Sequence, residues 1–184
     1  MRWATSMAVA IALGVLGVGT ASAATPLDVV RQVMEAAPGR MPQSVRCVSR
    51  EELLHGDGRR LASRTVGVTI RTGKTRVVLL DWQEVCVPLY RFRTGARVQP
   101  ADAIKAMVTV LHEKAHVQGI RSEWQATCWG IPGVARQLKQ WGYNARQVAA
   151  VKWFLVYNVD SGRPEEYKLR GRCHVGAPPQ PPLP

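Results

Sequence analysis

Apolar residues recur along this chain with two periods, and each change of period marks a change of element. Thr25 is a helix-capping residue ahead of Pro26, and Leu27, Val30, Val33 and Met34 then recur at helical spacing until Pro38-Gly39. This predicts a first helix. Ser49-Arg50-Glu51-Glu52 has the form of a capping box and predicts a second, short helix. The period then drops to two. Val66, Val68 and Ile70 alternate with smaller or polar residues, Thr72-Gly73-Lys74-Thr75 suits a tight turn, and Val77 to Leu80 returns. A β-hairpin is expected there. Glu84 to Phe92 reads as a third strand, placed at an edge because Pro88 has no N–H to donate.

After Pro100 the helical period resumes. Ile104, Met107, Val108 and Leu111 predict one helix over Ala101 to Gln118, with Gly119 as its stop. Glu123 to Trp129 reads as a further turn or two, ended by Gly130-Ile131-Pro132-Gly133. Val134 to Trp141 and Asn144 to Tyr157 read as two more helices. The expected fold class is α+β, a small antiparallel sheet followed by helices, with no internal repeat and no long linker.

The two ends belong to neither pattern. Residues 1–23 have the form of a signal peptide: Arg2, an apolar run from Met7 to Val18, and the small-x-small site Ala21-Ser22-Ala23. That run falls short of the roughly 20 apolar residues of a spanning helix. A secreted or extracytoplasmic protein without a transmembrane segment is expected, with one domain over residues 24–176. Residues 177–184 are mostly proline and read as an extended, disordered tail.

Cysteine and charge sharpen this picture. Cys47, Cys86, Cys128 and Cys173 all fall in the mature part, and an even count in an exported chain favours two disulfides. Three pairings exist; the order along the chain suggests Cys47–Cys86 and Cys128–Cys173. The formal net charge is +12, carried by scattered arginines, which would favour an acidic envelope surface or acidic partners. No arginine run is interleaved with aromatics in a base-stacking pattern, so no nucleic-acid partner is expected.

The chemistry concentrates in the helix after Pro100. His112-Glu113-Lys114-Ala115-His116 places two imidazoles four residues apart, on one helix face about a turn from each other. Two such groups can share one tetrahedral ion, and Glu113 can reach the open coordination position to accept a proton from water. A third ligand is needed. Glu123 lies seven residues beyond His116, about 10 Å along an unbroken helix, so it can return only if Gly119 breaks the chain. Zn2+ is the expected metal, held by His112, His116 and Glu123, with Glu113 as general base.

The run from His112 through Val117-Gln118 to Glu123-x-Gln125-Ala126-x-Cys128-x-Gly130 resembles the neutral zinc metallopeptidases, whose pattern is HExxH, HVQ and later E-L-Q-A-D-C-x-A-G. It is also similar to small secreted actinobacterial HExxH proteins of unknown function. The resemblance covers residues 112–130 and implies a zincin-like fold, with an HExxH active-site helix and hydrolysis of peptide or protein substrates. Three positions depart from the pattern. The spacer before Glu123 is far shorter, the glycine before the second histidine is Ala115, and the family's Asp one turn after the ligand Glu is Thr127. That carboxylate steadies a ligand histidine, and losing such a group weakens metal affinity or activity by roughly 10- to 100-fold.

Cys128, about 140° around a helix from Glu123, cannot face the same metal, but a disulfide from it would fix the helix carrying Glu123. Oxyanion donors are open among Tyr143, Tyr157, Tyr167, His174 and Arg121, and Trp124, Trp129, Trp141 and Trp153 are expected in the core. The expected function is a secreted zinc-dependent metallopeptidase. The alternatives are a non-catalytic metal-binding or envelope-associated protein, and a basic adhesion module in which the motif has no role.

Overall fold

Thr25 opens the first helix as its side chain predicts. Its hydroxyl accepts from the Asp28 N–H, while the Asp28 carboxylate accepts from the Thr25 N–H at 2.8 Å. This reciprocal cap satisfies two backbone donors that a helix start otherwise leaves open. The computed structural model describes residues 24–56, 60–157 and Cys173. The expected signal peptide and proline-rich tail lie outside the described residues.

Among the described residues six α-helices and three strands follow one another as α1 (Pro26–Glu35), β1 (Ser44–Val48), α2 (Arg50–His55), β2 (Gly67–Thr72), β3 (Thr75–Asp81), α3 (Val87–Thr94), α4 (Pro100–Val117), α5 (Glu123–Gln140) and α6 (Ala145–Tyr157). The class is α+β, but the sheet is mixed rather than antiparallel. The expected hairpin forms, with Thr72 opposite Thr75 and Gly73 at φ 60°, the left-handed conformation a two-residue loop needs. β1, which the hydrophobic pattern did not mark, adds parallel to β3 from Ser44 opposite Val77 to Val48 opposite Asp81. The strand order is β1-β3-β2, leaving β2 at an edge.

Glu84 to Phe92 is not a strand. Asp81 ends β3, and its carboxylate accepts from the Gln83 and Glu84 N–H groups, both at 2.9 Å. That cap starts a π-helical turn, Trp82–Cys86, which runs straight into α3. Pro88 then falls in the first turn of α3, where its fixed φ suits the helix. Val85, Cys86, Pro88 and Leu89 form the buried side, so the apolar run served a helix face.

Nor does the chain stop at Gly130-Ile131-Pro132-Gly133, because α5 continues to Gln140. A Cβ at Gly130 would stand 3.0 Å from Leu111 Cβ, and one at Gly133 2.8 Å from Leu111 Cδ1. These glycines let α5 lie close against α4. Pro132 sits on the exposed face of the same helix. Its interior position costs about 3 kcal/mol in isolation, and the α4–α5 packing overrides that cost.

The main core gathers around α4. Met107, Val110 and Leu111 are fully buried with Val29, Val30, Val33 and Met34 of α1 and Ile131, Val134 and Leu138 of α5. On the other side of the sheet a smaller cluster joins Leu53 of α2 to Val48 and Leu79, with Val68 and Ile70 of β2 against it. Trp124, Trp129 and Trp141 pack against the main core, but Trp153 is 38% exposed, against the core position expected for it. The disulfides are Cys47–Cys86, joining β1 to the turn before α3, and Cys128–Cys173, joining α5 to the C-terminal segment. No helix among the described residues is long and apolar enough to cross a membrane.

Candidate metal centre

α4 carries three consecutive polar residues into the interior. His112, Glu113 and Lys114 are 7%, 5% and 1% exposed. A helix rotates 100° per residue, so the three point in different directions and meet different neighbours. Lys114 turns away from the other two. Its Nζ donates to the carbonyls of Met34 at 2.8 Å and Ala37 at 2.6 Å. These lie at the C-terminal end of α1, where an ammonium satisfies open carbonyls and opposes the helix dipole.

The break between α4 and α5 brings Glu123 back. α4 ends at Val117, Gly119 takes φ 96°, and α5 begins at Glu123 itself. Glu123 Oε2 stands 2.9 Å from His112 Nε2 and 3.5 Å from His116 Nε2, and the two Nε2 atoms are 3.0 Å apart. Bonds of 2.0–2.1 Å to a tetrahedral ion place donor atoms about 3.3 Å from each other, so the three edges bracket that spacing. This group could hold a metal ion.

The remaining ring nitrogens show which atoms are available. His116 Nδ1 lies 2.6 Å from the Ile120 carbonyl. A carbonyl only accepts, so Nδ1 carries the hydrogen and Nε2 faces the centre. Thr127 Oγ1 donates to the Glu123 carbonyl at 3.1 Å and stands 3.0 Å from His112 Nδ1. With its own hydrogen engaged, that hydroxyl accepts from Nδ1–H and again leaves Nε2 for the centre. Thr127 thus joins the His112 ring to the first turn of α5 through one hydroxyl. Two imidazole lone pairs and a carboxylate converging at 3 Å require a cation among them, either a proton or a metal.

The electrostatics agree. Burial disfavours the His116 imidazolium, yet the bonds to Glu123 and the Ile120 carbonyl, with the nearby charges of Glu113 and Glu123, raise its pKa to about 9. Burial would raise Glu123, but the bonds and charges of His112 and His116 hold it well below the usual carboxylate range. Glu113 moves the other way. Burial pushes its carboxyl up, against the charge of His112 and the Thr69 hydroxyl, whose oxygen is 2.8 Å from Glu113 Oε2.

A cleft of about 490 Å³ opens beside the triangle, lined by His116, Glu113 and Glu123 together with Thr65, Gly67, Thr69 and Arg71. Gly67 matters by its size: a Cβ there would stand 3.0 Å from Glu113 Cγ and 3.1 Å from Glu113 Oε1. The wall before β2 is tied down by Arg50. Its guanidinium pairs with the buried Asp81 at 3.2 Å and donates to the Thr65 and Ser63 carbonyls.

The chain matches no protein-family model, no curated protein and no solved structure. What can be said of its chemistry therefore comes from these residues. The structure joins His112, His116 and Glu123 in one group and sets Glu113 in the adjoining cleft. Of the oxyanion candidates, Arg121 lines the cleft, while Tyr143 stacks on Phe92 with ring centroids 5.9 Å apart and packs against the core. Tyr167, His174 and the side chain of Tyr157 lie outside the described residues. Sequence reasoning missed Thr69 and Gly67, which neighbour Glu113 from β2. Nothing in the local pattern of a strand announces which helix it will face.

Proposed function

We propose that this chain is an exported, zinc-dependent metallopeptidase. One observation carries the reading: three donors, two imidazoles and one carboxylate, converge beside a cleft that also holds the Glu113 carboxylate. Structural zinc sites close with four protein ligands, whereas hydrolytic sites use three and leave a position open. Zinc held by His112, His116 and Glu123 would supply Lewis acidity, acidifying water and polarising a carbonyl. Glu113 is the general base. Its raised pKa suits a group that takes a proton from the attacking water and returns it to the departing amine. Thr69 orients that carboxylate, and the small Gly67 leaves room for it.

The edge position of β2 supports a peptide as substrate. An extended chain can add to a free strand edge through backbone hydrogen bonds that do not depend on sequence. The two disulfides support export, because such bonds persist in oxidising compartments. The net charge of +12 suits residence at an acidic envelope surface.

The decisive experiment replaces the base and keeps the ligands. Glu113→Gln should retain the zinc content of the parent and lose at least about 10²-fold of its hydrolysis of a mixed peptide library. If the parent cleaves nothing, or Glu113→Gln cleaves as well as the parent, a non-catalytic metal-binding protein becomes the better account.

A further inference from the structure

The cleft carries more positive charge than its chemistry uses. Arg71, Arg76 and Arg121 line it, and the acids among its lining residues are Glu113 and Glu123. Glu123 is engaged with His112 and His116, and Glu113 with Thr69. Arg76 Nε donates to the Val117 carbonyl at 3.0 Å and Arg71 Nε to the Gly73 carbonyl at 3.3 Å. Neutral carbonyls orient these guanidiniums without cancelling their charge. Arg71 and Arg121 are both exposed.

The sheet register makes the excess more pointed. Arg71 of β2 is directly opposite Arg76 of β3. Facing residues in an antiparallel pair have Cβ atoms about 4.5–5.5 Å apart, and like charges there are destabilising. An anion bound between the two would reverse the sign of that interaction. Alternation along β2 gives Gly67, Thr69 and Arg71 one side of the strand, with Val68 and Ile70 packed into the small core on the other. Arg71 therefore lies two pleats along the same edge from Gly67, beside the proposed base.

We infer that this cleft selects peptides bearing a carboxylate near the bond to be cleaved, with Arg71, Arg76 and Arg121 as its receptor. Guanidinium groups bind carboxylates through paired, charge-assisted hydrogen bonds. The carboxylate can belong to an Asp or Glu side chain or to the free C-terminus of the peptide. The inference rests on the peptidase reading and names the substrate class of the same site.

Binding to zinc-loaded Glu113→Gln protein tests it without requiring turnover. The probes are ten-residue Ala/Gly peptides labelled with an uncharged BODIPY dye and carrying one central Glu, Gln or Lys, each made with a free and an amidated C-terminus. Fluorescence anisotropy at low ionic strength should show the amidated Glu peptide, the free-terminus Gln peptide, or both, binding about tenfold more tightly than the amidated Gln peptide. Which one does so identifies the source of the carboxylate. Arg71→Gln combined with Arg121→Gln, both at exposed positions, should bring that ratio below about threefold, while Arg146→Gln outside the cleft should leave it unchanged. Equal affinity across all six peptides overturns the inference while leaving the peptidase reading intact. So does a preference that survives the double substitution. If no peptide binds at all, the peptidase reading falls and takes the inference with it.

Discussion

Thr127 Oγ1 lies 3.0 Å from His112 Nδ1 and donates its own hydrogen to the Glu123 carbonyl one turn back. A single hydroxyl thereby links the histidine of α4 to the first turn of α5, which carries the carboxylate. It sets the ring orientation of His112 and the position of the Glu123 backbone. Thr127→Val keeps the shape and removes the hydroxyl. Competition with a chelator of known affinity should show metal binding weakened by about 10- to 100-fold, with the fold intact by circular dichroism. Thr127→Ser should stay within a few-fold of the parent. Unchanged affinity in the valine variant would leave the hydroxyl no part in holding the site.

Glu123 and Ser122 are adjacent, but only Glu123 enters the donor triangle. Glu123→Ala should reduce zinc occupancy after dialysis well below one equivalent, measured by elemental mass spectrometry. Ser122→Ala should hold zinc like the parent, because Ser122 caps α5 without a side-chain bond. If both variants bind zinc as tightly as the parent, the third ligand lies elsewhere.

The metal-free protein should show a distinctive pH dependence. His116 has its pKa raised from 6.5 to about 9, so its contribution is fully present below 6.5 and is lost as pH rises through about 9. Glu123 is lowered from 4.5, so its contribution is present above 4.5 and is lost as pH falls. This pair therefore stabilises the metal-free state most between about pH 4.5 and 6.5. A bound metal competes with the same proton, so its affinity increases as pH rises. Melting temperatures with zinc and with chelator should diverge from pH 6 to pH 9. A gap that is constant or narrows over that range would contradict this arrangement.

Lys114 offers a test of stability separate from the metal. Removing its ammonium by Lys114→Met leaves the Ala37 carbonyl without its buried donor, while the Met34 carbonyl keeps the Ala37 N–H at 3.1 Å. A stranded carbonyl costs about 1–3 kcal/mol, partly offset because a desolvated cation is also removed. A net loss of about 1 kcal/mol is expected in urea unfolding, with zinc content unchanged. Equal or greater stability in the methionine variant would show that burying the charge costs more than its two bonds return.

How much of this was legible beforehand depends on the range of the contact involved. Thr25 with Asp28 and Ser49 with Glu52 cap their helices within four residues, and Gly73 turns a hairpin whose strands are neighbours in the chain. His112 and His116 share a face because helical geometry brings every fourth residue round, whatever surrounds the helix. The positive φ of Gly119 and the return of Glu123 belong to the same local class.

What depended on distant partners could not be read in this way. SVRCV is a strand because β3 lies beside it, and Glu84 to Phe92 is helical because Asp81 caps its first turn and the core takes one of its sides. Gly130 and Gly133 permit close approach to Leu111, a contact formed across about 20 residues of chain, where composition alone suggests a break. Thr127 replaces a carboxylate in the sequence pattern, yet its hydroxyl meets His112 once α4 and α5 pack together. Thr69 and Gly67 border Glu113 from more than 40 residues away. Periodicity and capping chemistry act along the chain, so the sequence by itself determines α1, α4, the hairpin and the histidine pair. Which residues steady that pair, and which cleft it faces, is decided by packing, because no local pattern encodes which surfaces will bury each other.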